Sequence, residues 1–203
     1  MRDQWYGDGR DLVKWAALVH LADSLGIRRI LQVAFYRPSD PPGTLSTGSG
    51  PASIPKAVLD HFRNLDRIQG LAKDAELEIE VLKDPWPDPE LGRAGYIRSV
   101  VRRIAAPARR PMIVFLDPDT GIAPRRAGPE HVTQEEIRSI YEGLAAGDVL
   151  VFYQHARRRR DWLQTTRRLF AKAVGCRVQD VDTITCPEMV RDVAFLVITK
   201  RQA

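Results

Sequence analysis

The sequence predicts an α/β protein: a three-layer, Rossmann-like sandwich around a mainly parallel sheet, closed by an antiparallel terminal pair. Three observations carry that prediction. Met112 to Leu116 is wholly apolar and Asp148 to Tyr153 nearly so, as expected of central strands covered on both faces. Segments with helical periodicity alternate with strand-like runs, the pattern of successive β-α-β units. The 203 residues are 44% hydrophobic and 28% charged, a size and composition that suit one domain with its own core.

The elements follow in order. Asp11 to Leu25 carries Leu12, Trp15, Ala16, Val19 and Ala22 at the spacing of one helical face. Asp8 or Gly9 would cap that helix and Gly26 would end it. Arg29 to Tyr36 reads as a buried strand, Ile54 to Lys73 as a helix led by Pro55, and Leu77 to Leu82 as a short alternating strand. Tyr96 to Ala105 is a third helix with arginines along one side. Thr133 to Ala145 is a fourth, its Thr133 and Glu136 in capping-box spacing. Asp161 to Val174 is the last helix, and Val178 to Thr185 pairs with Val193 to Thr199. No repeat and no boundary interrupts residues 1–203, which read as a single domain.

Arg37 to Pro55 breaks the pattern with five prolines and three glycines. It reads as a structureless loop, long enough to act as a lid and mobile without ligand. Its start lies at the carboxyl end of the first strand, where open α/β sheets bind ligands.

Composition also excludes several classes. No apolar run reaches the roughly 18 residues of a membrane span, and the N-terminus has no apolar core of a signal peptide. Cys176 and Cys186 are too few for a disulfide framework or a zinc site. A cytoplasmic protein with no membrane association is expected. Of the 31 basic residues 25 are arginine, within a net charge of +5. That bias fits phosphate contact through the guanidinium fork, and equally a biased base composition. The sequence assigns no oligomeric partner.

Candidate chemistry gathers in three segments that a parallel sheet brings to one edge. Asp117 and Asp119 flank Pro118 in Asp-Pro-Asp-Thr-Gly, directly after the first apolar run. They read either as catalytic acids or as turn formers bonding nearby amides. His155 ends the second apolar run behind Tyr153 and Gln154; beside an ionised carboxylate its pKa would rise. Asp8, Asp11 and Lys14 open the first helix, as ligand contacts or as dipole-compensating acids with an i,i+3 partner. Arg157, Arg158, Arg159 and Arg160 follow His155, as phosphate contacts or as a solvated face.

With these residues in view, Gly-Asp-Gly-Arg-Asp-Leu-Val-Lys-Trp15 and the later strand-Asp-Pro resemble the ribosomal RNA adenine-N6 methyltransferases of the RlmJ kind. The resemblance implies a class I S-adenosylmethionine-dependent methyltransferase fold. It implies that Asp117 receives the target amine and that Pro118 shapes the turn. It also implies that Glu80 or Asp84, around the end of the second strand, holds ribose hydroxyls, with nucleic acid as the partner. Asp119 and Thr120 stand where that family has proline and an aromatic residue, and no glycine follows the first strand. Asp-Pro-Asp-Thr-Gly with Tyr-Gln-His also resembles a widespread bacterial family over residues 5–162, a likeness that implies no activity. The alternative expectation is a metal-dependent phosphodiesterase or nuclease, with Asp117, Asp119 and His155 around Mg²⁺ or Mn²⁺. A third is a binding module that kept the fold without the chemistry.

Overall fold

The apolar runs become neighbouring strands because each has two faces to bury, and helices from the intervening segments cover both. The computed structural model describes residues 9–37, 44–47, 50–53, 68–106, 109–123, 126–156 and 160–202. The elements are α1 (Gly9–Leu25), β1 (Arg29–Val33), β2 (Thr44–Thr47), β3 (Gly50–Ser53), α2 (Ile68–Asp74), β4 (Glu78–Leu82), α3 (Gly92–Ala105) and β5 (Ile113–Leu116). They continue with β6 (Gly121–Ile122), β7 (His131–Val132), α4 (Gln134–Glu142), β8 (Val149–His155), α5 (Trp162–Val174), β9 (Asp182–Cys186) and β10 (Val190–Thr199).

Six strands form one sheet in the order β4-β1-β5-β8-β10-β9. The first four are parallel. β10 runs antiparallel to both β8 and β9, which gives the expected closing pair. From β1 the chain steps outward to β4, then crosses back to lay β5 on the other side of β1. The order therefore reverses between β1 and β5, and at such a switch point the loops diverge and leave a crevice beyond the carboxyl ends.

Alternation along the strands divides the core in two. Leu31, Val33, Val114, Leu116, Leu150 and Phe152 pack beneath α3, α4 and α5. Ile30, Ile113, Phe115, Val149, Val151 and Tyr153 pack beneath α1 and α2. This is the three-layer sandwich the patterning predicts. Thr133 caps α4 with a full capping box: its hydroxyl accepts from the Glu136 amide, and the Glu136 carboxylate accepts from the Thr133 amide. Gly26, at φ 65°, ends α1, and the next amide, Ile27, donates back to the Ala22 carbonyl at 2.8 Å.

Three expectations need correction. Residues 44–47 and 50–53 form an antiparallel hairpin, so the stretch between Arg37 and Pro55 is not structureless. Of the predicted helix from Ile54, residues 54–67 lie outside the described residues, and its described part is α2, Ile68–Asp74. Val178–Asp180 is a 3₁₀ turn, and the strand begins at Asp182. The buried face of α1 is not the predicted one: Leu12 is exposed, while Asp11 and Lys14 join Trp15, Leu18 and Ala22 inside. The reason lies in what faces them from the sheet, described below. Among the described residues no helix is long and apolar enough to cross a membrane.

Candidate functional site

Three parallel strands end side by side, and their alternation decides which side chains reach α1. Gln32 pairs in register with Phe115, and Phe115 with Val151. Two residues further along β5 and β8, the same face presents Asp117 and Tyr153, and then His155. The Asp117 amide donates to the Val33 carbonyl at 3.0 Å, which carries the β1–β5 ladder one residue past the strand. Pro118 then prevents its continuation.

Asp117 lies at the switch point between β1 and β5. Its Oδ2 accepts from Lys14 Nζ at 3.0 Å and from Gln32 Nε2 at 2.7 Å. Lys14 Nζ also donates to Asp11 Oδ1 at 2.6 Å. Side-chain exposure is 6% for Lys14, 6% for Asp11 and 3% for Asp117, so one cation and two carboxylates are held almost out of water. Burial works against the Lys14 charge, but Asp117 and Asp11 outweigh it, and the ammonium holds its proton more tightly than in water. The same ammonium stands 5.2 Å from the Tyr153 ring centroid.

Tyr153 links this buried cluster to the surface. Its Oη lies 2.9 Å from His155 Nε2. His155 Nδ1 is 3.7 Å from Asp192 Oδ2, which accepts from Arg10 Nη2 at 2.7 Å. The His155 pKa is lowered, contrary to the expected rise. Burial is the main cause and the Arg10 charge adds to it, while Asp192 acts in the opposite direction. Each neighbouring carboxylate is already matched by a cation, Asp117 by Lys14 and Asp192 by Arg10, so little net negative charge reaches the ring. The Tyr153 hydroxyl and His155 Nε2 share one hydrogen bond, whose direction is set by the imidazole tautomer, while Nδ1 faces Asp192.

Asp119 turns elsewhere. It pairs with Arg37, which leaves the end of β1. Burial opposes ionisation of Asp119, but cationic partners, Arg37 among them, hold its carboxyl below the ordinary range. Behind it the turn is braced by buried Gln154, which accepts from the Ile122 amide at 2.9 Å and donates to the Thr120 carbonyl at 3.0 Å. Gly121, at φ 112°, threads between these bonds; a Cβ there would lie 2.3 Å from Gln154 Oε1. The Asp-Pro-Asp-Thr-Gly turn is therefore a fixed platform.

These positions revise the metal reading. Asp117, Asp119 and His155 do not converge, and among the described residues no group of three His, Cys, Asp or Glu side chains could hold an ion. Asp117 and Asp119 each already have a cationic partner. Glu80 is also removed from the site: it lies within β4, one oxygen accepting from Arg103 and the other from Arg29 and Arg103. That arrangement ties β4, β1 and α3 together and engages both Glu80 oxygens. Asp8, Arg157, Arg158 and Arg159 lie outside the described residues; Arg160 is exposed just before α5.

Sequence reasoning missed Gln32, Gln154 and the Arg10–Asp192 pair. The first two left a signal. A glutamine inside an apolar strand occupies a core position, and a buried amide must find partners, so it marks a polar network beneath. Arg10 and Asp192 left none, since they are 182 residues apart.

No family model matches the chain, and no curated protein matches it. Among solved structures it is similar to a proposed methyltransferase from Thermobifida fusca YX, at 12% identity and a TM-score of 0.45, over 96% of this chain and 81% of that one. It is also similar to a DUF574 family protein from Streptomyces avermitilis MA-4680, at 14% identity and a TM-score of 0.40, over 95% of this chain and 82% of that one.

Proposed function

We propose that the protein is an S-adenosylmethionine-dependent methyltransferase that modifies an amino group of a nucleic acid. The observation that carries this reading is Asp117, a buried carboxylate in a proline-fixed turn at the switch point, oriented by Lys14 and Gln32. An amine is methylated through its lone pair, so its hydrogens need acceptors that leave the lone pair aimed one way. A carboxylate held in place by two donors is such an acceptor.

Two features of the crevice fit the cofactor. The backbone leaving β1 turns through Phe35 at φ 44°, and its ring is buried against Trp86 and Tyr96 on the α3 side. The turn that would otherwise call for glycine is made with no side chain of residue 35 on the α1 side of the crevice. Asp84, exposed just past β4, takes the ribose role that Glu80 cannot fill. When bound, the cofactor supplies an electrophilic methyl group on a sulfonium. Lys14 and Gln32 hold Asp117 in place. A net charge of +5, with Arg10 at the rim, supports a polyanionic substrate.

The test is a calorimetric titration with S-adenosylmethionine and S-adenosylhomocysteine, followed by transfer of a labelled methyl group to RNA and DNA. Both ligands should bind. Asp117→Asn should retain binding and lose transfer by about 10²-fold or more, the usual effect of removing a transition-state electrostatic group. Absence of binding for both ligands at millimolar concentration would overturn the reading.

A further inference from the structure

On the face opposite α1, helices α3 and α4 lie side by side with a groove between them. Ala94, Ile97 and Val101 from α3 and Gly143 after α4 contribute its small and apolar lining. Its two walls differ in sign. Arg98 and Arg102 line it from α3, and Glu135 and Glu142 line it from α4. All four are exposed. Arg93 and Glu136 show what these helices do when opposite charges meet: they form a two-bond ion pair, Arg93 Nε and Nη2 donating at 2.8 and 2.7 Å. The four wall residues line the groove and make no such bond with any described residue. A basic ridge and an acidic ridge therefore run along one apolar trough, unneutralised.

We propose that this groove is the interface of a homodimer. A surface with one positive and one negative ridge is complementary to a copy of itself under one particular symmetry. A two-fold axis lying in the interface and along the trough places each α3 opposite the partner's α4. Basic ridge then meets acidic ridge twice, and the two apolar troughs close on each other. An axis across the trough would instead stack α3 on α3 and set like charges together, which is unfavourable. Charge thus selects both the occupant and the symmetry. The proposed active site lies on the α1 face, on the other side of the sheet, and stays open in such a dimer. The contact spans two short helices and depends on exposed charges of opposite sign, so its affinity falls with salt.

Sedimentation velocity on the full chain, at low and high ionic strength, tests the assignment. The wild-type protein should sediment as a dimer at low salt and shift toward 22.9 kDa monomers as salt rises. Arg98→Glu with Arg102→Glu makes both ridges acidic, and Glu135→Arg with Glu142→Arg makes both basic. Each double variant alone should be monomeric, with an unchanged circular dichroism spectrum since all four side chains are exposed. Mixed one to one, the two should form a heterodimer, because each α3 again meets an α4 of opposite sign. A monomeric wild type at low salt overturns the proposal, as does a double variant that remains dimeric. A folded pair of variants that fails to associate on mixing overturns it too; in that case the groove serves a different partner.

Discussion

Replacing Lys14 by Met removes one buried cation and leaves two buried carboxylates facing each other. Met has nearly the same length and makes the same apolar contacts beneath Tyr153, so the change isolates charge from packing. Asp11 and Asp117 are 94% and 97% buried by side chain, and neither can recruit bulk water without local opening. Removing one partner from a buried ionic cluster costs about 3–5 kcal/mol, because the remaining charges keep their desolvation penalty and lose their compensation. For a chain of this length each kcal/mol moves the melting temperature by roughly 2–4 °C, so Lys14→Met should melt about 6–20 °C lower. The pH profile should change as well. In the wild type the folded-state Lys14 pKa lies above its unfolded value of 10.5, so its contribution is present below pH 10.5 and is lost as pH rises through the folded value. Lys14→Met lacks this group, so that alkaline loss should be absent from its profile. Adding Asp11→Asn and Asp117→Asn should recover most of the loss, since the polar shape survives without net charge. Thermal and urea denaturation followed by circular dichroism measure all three. A Lys14→Met variant that melts within about 2 °C of wild type would show that the ion cluster is not held as described.

Two further outcomes follow from the same geometry. Arg10→Gln removes the cation that lowers the His155 pKa and leaves Asp192 free to raise it, so the imidazole should titrate at higher pH by NMR; an unchanged midpoint would contradict the Arg10–Asp192–His155 arrangement. The depressed His155 pKa also means that its neutral form contributes stability above about pH 6.5, lost as pH falls toward the folded value, and Arg10→Gln should narrow that acid window. Gly121→Ala must place a methyl at φ 112° against the buried Gln154 amide, so it should destabilise by roughly 1–3 kcal/mol and melt several degrees lower; a neutral effect would show that the turn is not braced through Gln154.

Much of this architecture was legible in the linear chain because its signals are local. The apolar runs at Met112–Leu116 and Val149–Tyr153, the Thr133–Glu136 spacing and Gly26 each encode a strand, a cap or a stop within a few residues. Period alone therefore identified the three layers, the parallel sheet and the antiparallel closing pair. Asp117 at a strand's carboxyl end was readable for the same reason: apolar run, acid and proline are contiguous. The site's chemistry was not readable, because it depends on pairings between distant elements. Asp11 and Lys14 look like an ordinary first-turn pair on an exposed helix start. Only the approach of α1 to β5, 103 residues away in the chain, brings Lys14 onto Asp117 and turns that face inward at the expense of Leu12. The sign of the His155 shift was beyond the sequence for a related reason. A carboxylate beside a histidine raises its pKa unless a cation has already matched that carboxylate. Lys14 and Arg10 do so here through contacts made only in the folded state. Period and propensity are properties of neighbours along the chain, while net electrostatics at a point sums over whatever folding brings near it.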